Sequence, residues 1–224
     1  MDQMTLQWIA NSRPVNFDAA PSLPRPGLML VPEPDWFVTP RLSASNHGIR
    51  HNARVSLLAA LLAEEQGLNS DDIAAACVAG AVHDCRRLDD REDPGHGQRA
   101  ASWFRAHTST VTGALGREVP EASLQRAAEA VAVHDVPYGR FTARQERAYR
   151  DAPHLVDVLK AADCMDRYRL PLQRWWPDTT RLRIPVPDWM SPAAFALVVR
   201  SEQAALDGAT QREALDLARQ TLTP

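Results

Sequence analysis

Residues Asn69 to Asp84 read NSDDIAAACVAGAVHD, and the fold class turns on them. Four good helix-capping types, Asn69, Ser70, Asp71 and Asp72, precede an apolar run. Within the run Ile73, Cys77, Gly80 and His83 recur at helical spacing and share one face. The pattern is a buried α-helix that finishes on an adjacent His83–Asp84 pair. A buried aspartate without a partner is expensive, so the pair calls for partners elsewhere in the chain.

Upstream, SASNHGIRHNARVSLLAALLAEEQG (43–67) opens on serines and closes on glycine, as a capped helix does. His51, Val55, Leu58 and Leu62 put His51 in line with its buried stripe. Downstream, the charged loop CRRLDDREDPG (85–95) leads into HGQRAASWFRAH (96–107), a third helix. EASLQRAAEAVAVHDVPYG (121–139) aligns Ala127, Val131 and His134, and PHLVDVLKAADCMDRYRL (153–170) aligns Val156, Leu159 and Asp163. The stretch RWWPDTTRLRIPVPDWM (174–190) is broken by proline, and SPAAFALVVRSEQAAL and TQREALDLARQTL make two closing helices. Seven prolines between Pro14 and Pro40 argue for an irregular N-terminal arm over 1–42, with GLMLV and DWFV as short strands or extended pieces. The expected architecture is all-α: a single helical domain over 43–224, with its core at 45–170 and an extension at 171–224.

The chain has 224 residues, 45% of them apolar and 24% charged, and a net charge of −3. That composition is ordinary for a globular protein that buries its own core. The charge gives no electrostatic case for a nucleic-acid polymer or a membrane surface. Lys160 is the only lysine; the other basic side chains are arginines, whose planar fork suits oxyanions. Cys77, Cys85 and Cys164 are odd in number and widely spaced, which offers no disulfide framework. With no signal-peptide pattern at the N-terminus and no long apolar window, the expected location is a reducing cytoplasm.

Each central helix carries a metal-capable side chain at the end of its apolar stripe: His51, His83, Asp84, His96, His134 and Asp163. Helix bundles build carboxylate–histidine metal sites from such inward positions. The ordered set HGIRHNARV, AVHDCRR, GHGQRAA, AVHDVP and KAADCMDR resembles the HD-domain superfamily of metal-dependent phosphohydrolases, over roughly residues 45–170. The resemblance implies an HD-type bundle and a site for one or two divalent transition ions. Asp84 would bridge them, His51, His83 and Asp163 would hold one, and His96 with His134 the other. His107 is the alternative to His96, and Asp166 the alternative to Asp163. Mixed nitrogen and oxygen ligands suit Mn, Fe, Co, Ni or Zn.

The implied chemistry is hydrolysis of a phosphate ester by a hydroxide shared between the ions, on a nucleotide or other small phosphorylated metabolite. Asp84, His47 and Arg86 are the expected catalytic residues, with His47 as proton donor to the leaving group. Arg54, Arg87, Arg99, Lys160 and Arg167 are candidate substrate contacts. Asp89, Asp90 and Asp93 are expected to balance Arg86 and Arg87, Asp135 to cap or pair, and His154 to lie at the surface. Trp175, Trp176, Trp189 and Tyr138 either wall a pocket or pack a loop. A mixed-valence di-iron oxygenase would show the same ligands; a nucleotide-sensing module without catalysis and a purely structural bundle are the other readings. The chain is expected to act as a monomer or homodimer.

Overall fold

The computed structural model describes residues 1–17 and 21–223, and among them every regular element is helical. α1 (Gln3–Asn11) and the single turn α2 (Pro40–Ser43) precede α3 (Ile49–Glu65) and α4 (Ser70–Val82). Then follow α5 (His96–Ala106), α6 (Thr108–Leu115), α7 (Glu121–Val133), α8 (Ala143–Asp151) and α9 (Pro153–Met165). α10 (Met190–Leu206) and α11 (Gln211–Gln220) close the chain. The all-α bundle expected from helical periodicity is the fold observed. No helix among the described residues is long and apolar enough to cross a membrane.

α4 is the central rod. Asn69 Oδ1 accepts from the backbone N–H groups of Asp71 and Asp72, at 3.0 Å each, and the two aspartates face the positive end of the helix dipole. From Ala74 to Val82 every residue is buried, as in a helix enclosed on all sides. α3, α7 and α9 pack around it. The crossing with α3 is tight at Gly80, where a Cβ would lie 2.6 Å from Ser56 Cα. This approach sets His51, near the start of α3, beside His83, just past the end of α4.

The N-terminal region departs from the irregular arm expected of it. Its first residues form α1, because Asp2 caps it by accepting from Thr5 N at 2.8 Å and Leu6 and Ile9 turn inward. The prolines begin only at Pro14 and leave this segment free to coil. Neither GLMLV nor DWFV is a strand: Leu30 N donates to Ser56 Oγ at 2.9 Å, and Pro34–Trp36 form one 3-10 turn. Leu23, Leu30, Val31, Trp36 and Phe37 join the apolar cluster of α3 and α4. α6 and α8 are additions to the helices read from periodicity. The reciprocal capping box of Thr142 and Gln145 that starts α8 is a signal visible in the sequence.

Gly80→Val should clash with the α3 backbone and cost several kcal/mol, beyond the usual 1–3 kcal/mol of overpacking (roughly). Gly113→Ala, in α6 with nothing within 4 Å of the new Cβ, should stabilise by up to about 1 kcal/mol. Thermal and urea melts followed by circular dichroism check both.

Candidate metal centre

Two helices end at the same point. His83 directly follows α4 and His134 directly follows α7. The last carbonyls of a helix lack intrahelical donors, and each histidine supplies one. His83 Nδ1 donates to Gly80 O and His134 Nδ1 to Val131 O, both at 2.8 Å. His96, at the start of α5, donates from Nδ1 to Asp93 O at 2.7 Å, and His51 Nδ1 to the Asp166 carboxylate at 2.7 Å. These bonds assign the ring proton to Nδ1 in all four and turn four Nε2 atoms inward, that of His96 lying 3.3 Å from Arg87 Nη1. Gly97 permits the approach of α5 to α7, since a Cβ there would meet Val131 O at 2.6 Å and His134 Nδ1 at 2.9 Å.

The Nε2 atoms of His51 and His83 are 3.1 Å apart, as are those of His96 and His134. Asp84 stands between the pairs. Its Oδ2 lies 3.5 Å from His51 Nε2 and 3.9 Å from His83 Nε2. Its Oδ1 lies 2.9 Å from His96 Nε2 and 3.5 Å from His134 Nε2. Asp163 Oδ1 adds to the first group, 3.5 Å from His51 and 3.7 Å from His83. Every one of these atoms presents a lone pair, and the buried Asp84 Oδ1 has no hydrogen-bond donor among the described residues. Ligands about 2.1 Å from a tetrahedral cation are separated by about 3.4 Å, within the spread found. His51, His83 and Asp84 form one group that could hold a metal ion, and Asp84, His96 and His134 form another.

The electrostatics run the same way. Burial opposes charge on His83 and His96, but Asp84 outweighs it and lifts both pKa values, with Asp163 assisting at His83. Burial also opposes the charges of Asp84 and Asp163, yet the surrounding imidazoles hold both carboxyls well below the usual range. At His134 burial prevails and the pKa falls. The carbonyl ends of α4 and α7 add negative potential. The cluster draws positive charge, and a metal ion would displace protons from it.

Several arginines expected to touch substrate are committed elsewhere. Arg54 is fully buried, donating from Nε and Nη2 to Asp166 at 2.6 and 3.0 Å and from Nη1 to Ser201 and Glu202. It orients His51 through Asp166 rather than facing a cavity. Arg86 donates to Trp36 O at 3.0 Å and lies over the Trp103 ring, away from the centre. Arg99 is paired with Asp93. Asp93 therefore balances Arg99, and Asp90 bonds His47, instead of both serving Arg86 and Arg87. His107 stacks on Trp103, outside the cluster, so His96 and not His107 belongs to the groups that could hold a metal ion. Asp166 supports His51 from behind, while Asp163 faces the centre. Asp135 Oδ2 accepts from Gly95 N at 3.0 Å, and its buried Oδ1 has no hydrogen-bond partner among the described residues. His154 is exposed.

Two cavities open onto the cluster. One, of about 750 Å³, is lined by His47, Asp84, Arg87, His96, Arg169 and Trp175, among others. The second, of about 490 Å³, is lined by Tyr138, Lys160, Arg174 and Trp176, among others. His134, Asp135, Asp163 and Arg167 face both. Trp189 faces neither. His47 stands at the rim with Nδ1 2.7 Å from Asp90, and burial pulls its pKa down to about 4. Its imidazole is neutral at pH 7, which suits a proton acceptor better than the donor expected from the sequence. Arg87 Nη1 is 3.3 Å from both ring nitrogens of His96 and 3.6 Å from Asp84 Oδ1, while its other nitrogens hold the loop at Asp89 O and Arg91 O. Sequence reading missed Arg169, buried and three residues past Asp166, and Asn52, whose Oδ1 accepts from Asp84 N at 3.2 Å. Neither has a local pattern that separates it from a surface arginine or a helical asparagine.

No protein-family model matches the chain, and neither does any curated protein or solved structure.

Arg54→Met should leave Asp166 with only His51 and Arg169 beside it, and Glu202 with Arg50 alone, and cost about 3 kcal/mol of stability. Urea unfolding measures it. A loss confined to substrate affinity, at unchanged stability, would restore Arg54 to a binding role.

Proposed function

We propose that the protein is a metal-dependent phosphohydrolase of the HD type, acting on a nucleotide or another small phosphorylated metabolite. The observation that supports this reading best is the position of Asp84. One buried carboxylate turns Oδ2 to His51 and His83 and Oδ1 to His96 and His134. Two divalent ions of the Mn, Fe, Co, Ni or Zn kind, one held by His51, His83, Asp84 and Asp163 and one by Asp84, His96 and His134, would supply an acidified water and neutralise charge on a phosphoryl group.

The chain's own residues then bind and orient. Arg169 donates from Nε to Asn46 O and from Nη1 to Asp166 O, which leaves Nη2 for a phosphoryl oxygen. Arg87 Nη1, beside Asp84, can take another. Neutral His47 is placed to accept a proton from water at the rim. The water oxygen bonds to phosphorus, the ester P–O bond breaks, and the departing oxygen takes a proton, giving phosphate and an alcohol. The guanidinium groups around the cluster favour this over oxygen-dependent cleavage of C–H or C–C bonds.

Purified protein should carry close to two transition-metal ions per chain by elemental analysis, and His134→Ala close to one. With manganese and without oxygen it should release phosphate from members of a nucleotide and sugar-phosphate panel. Asp84→Ala should lose metal and turnover while keeping its helical circular dichroism. Full activity in Asp84→Ala, or turnover that requires iron and oxygen, overturns the proposal.

A further inference from the structure

The smaller cavity holds more positive charge than its own walls neutralise. Lys160, Arg167 and Arg174 line it, and among the described residues no carboxylate lies within 4.0 Å of any of the three. Lys160 spends two of its ammonium protons on His134 O and Val136 O, each at 2.7 Å. Arg167 uses Nε on Trp175 O, and Arg174 lies over the Trp175 ring at 5.5 Å. The remaining donors have no protein acceptor among the described residues. Arg181, also on the wall, is shared with Asp178 at 2.8 Å.

The aromatic groups there are already engaged. Lys160 and Arg183 lie 5.0 and 4.0 Å from the Tyr138 ring centre. Trp176 makes edge contacts with Trp8, Tyr168 and Phe195. The cavity thus presents charge rather than a free ring face, and it meets the metal cluster at Asp163 and His134.

We infer that this cavity is a second anion subsite, and that the substrate is a non-aromatic ester with two anionic groups. Its scissile phosphate lies over Asp84 and Asp163, and its second phosphate or carboxylate between Arg167 and Arg174. A guanidinium pair of this kind recognises an oxyanion by charge-assisted hydrogen bonds. The inference rests on the hydrolase reading and sharpens its substrate class.

The test uses the manganese-loaded full chain with p-nitrophenyl phosphate as reporter ester. Glucose 1,6-bisphosphate and glucose 6-phosphate are added as competitors. The bisphosphate should compete at least about tenfold better, the effect of one or two charge-assisted contacts. Arg174 is exposed, so Arg174→Met should fold, and the advantage should shrink several-fold in it and fall further in Arg167→Met/Arg174→Met. Adenosine 5′-monophosphate should compete no better than glucose 6-phosphate. Equal competition by the two sugar phosphates, or a full advantage retained in the double variant, overturns the second subsite while leaving the hydrolase intact. Stronger competition by the nucleotide overturns the non-aromatic assignment. Failure to release phosphate from the reporter ester and from both sugar phosphates with any metal removes the hydrolase reading, and the subsite's function with it.

Discussion

A carboxylate that is 4% exposed and surrounded by other acceptors is tolerable only where positive charge reaches it. Asp84 is that group, and much of the bundle is arranged around it. Its neighbours are four imidazoles with their protons turned outward and a second carboxylate, so none of them fully satisfies it. The raised pKa values of His83 and His96, lifted against burial by Asp84, reflect that demand. A metal ion in either of the two groups could answer it more fully, by accepting the lone pairs that converge there.

The arrangement is held by elements that never touch the centre. Asp166 fixes the His51 ring, and Arg54, itself tied to Ser201 and Glu202 of α10, fixes Asp166. Helix ends do the same for His83 and His134, whose Nδ1 protons satisfy carbonyls that the helix leaves open. Gly80 and Gly97 are the places where a side chain would prevent the approach. The glycines set how close the helices come, and the ligand spacing follows from that. The two cavities flanking the cluster divide the remaining charge, with Arg87 and Arg169 on one side and Lys160 and Arg174 on the other.

Most of the helices were legible in the sequence because burial imposes a period that composition cannot disguise. α4 reads directly from its caps and apolar run. α1 was hidden by the prolines that follow it, and α6 and α8 by weak apolar stripes. The six candidate ligands were legible because metal-capable residues on inner faces are costly without a purpose. The arginines were not. Arg54, Arg86, Arg87, Arg99 and Arg169 look alike in sequence, and their long side chains choose partners many residues away, such as Glu202 for Arg54 and Trp36 for Arg86.

The amino-acid order alone determined an all-α chain with histidines and aspartates delivered to the inner ends of its helices, because helical periodicity and the cost of burying polar groups are local properties. Only the tertiary structure decided that Asp84 divides its oxygens between two histidine pairs, that His47 sits neutral at the rim, and which guanidinium groups remain free. Those outcomes depend on distances between segments as far apart as α3 and α10, and on how much water reaches each group, neither of which is written in any single stretch of residues.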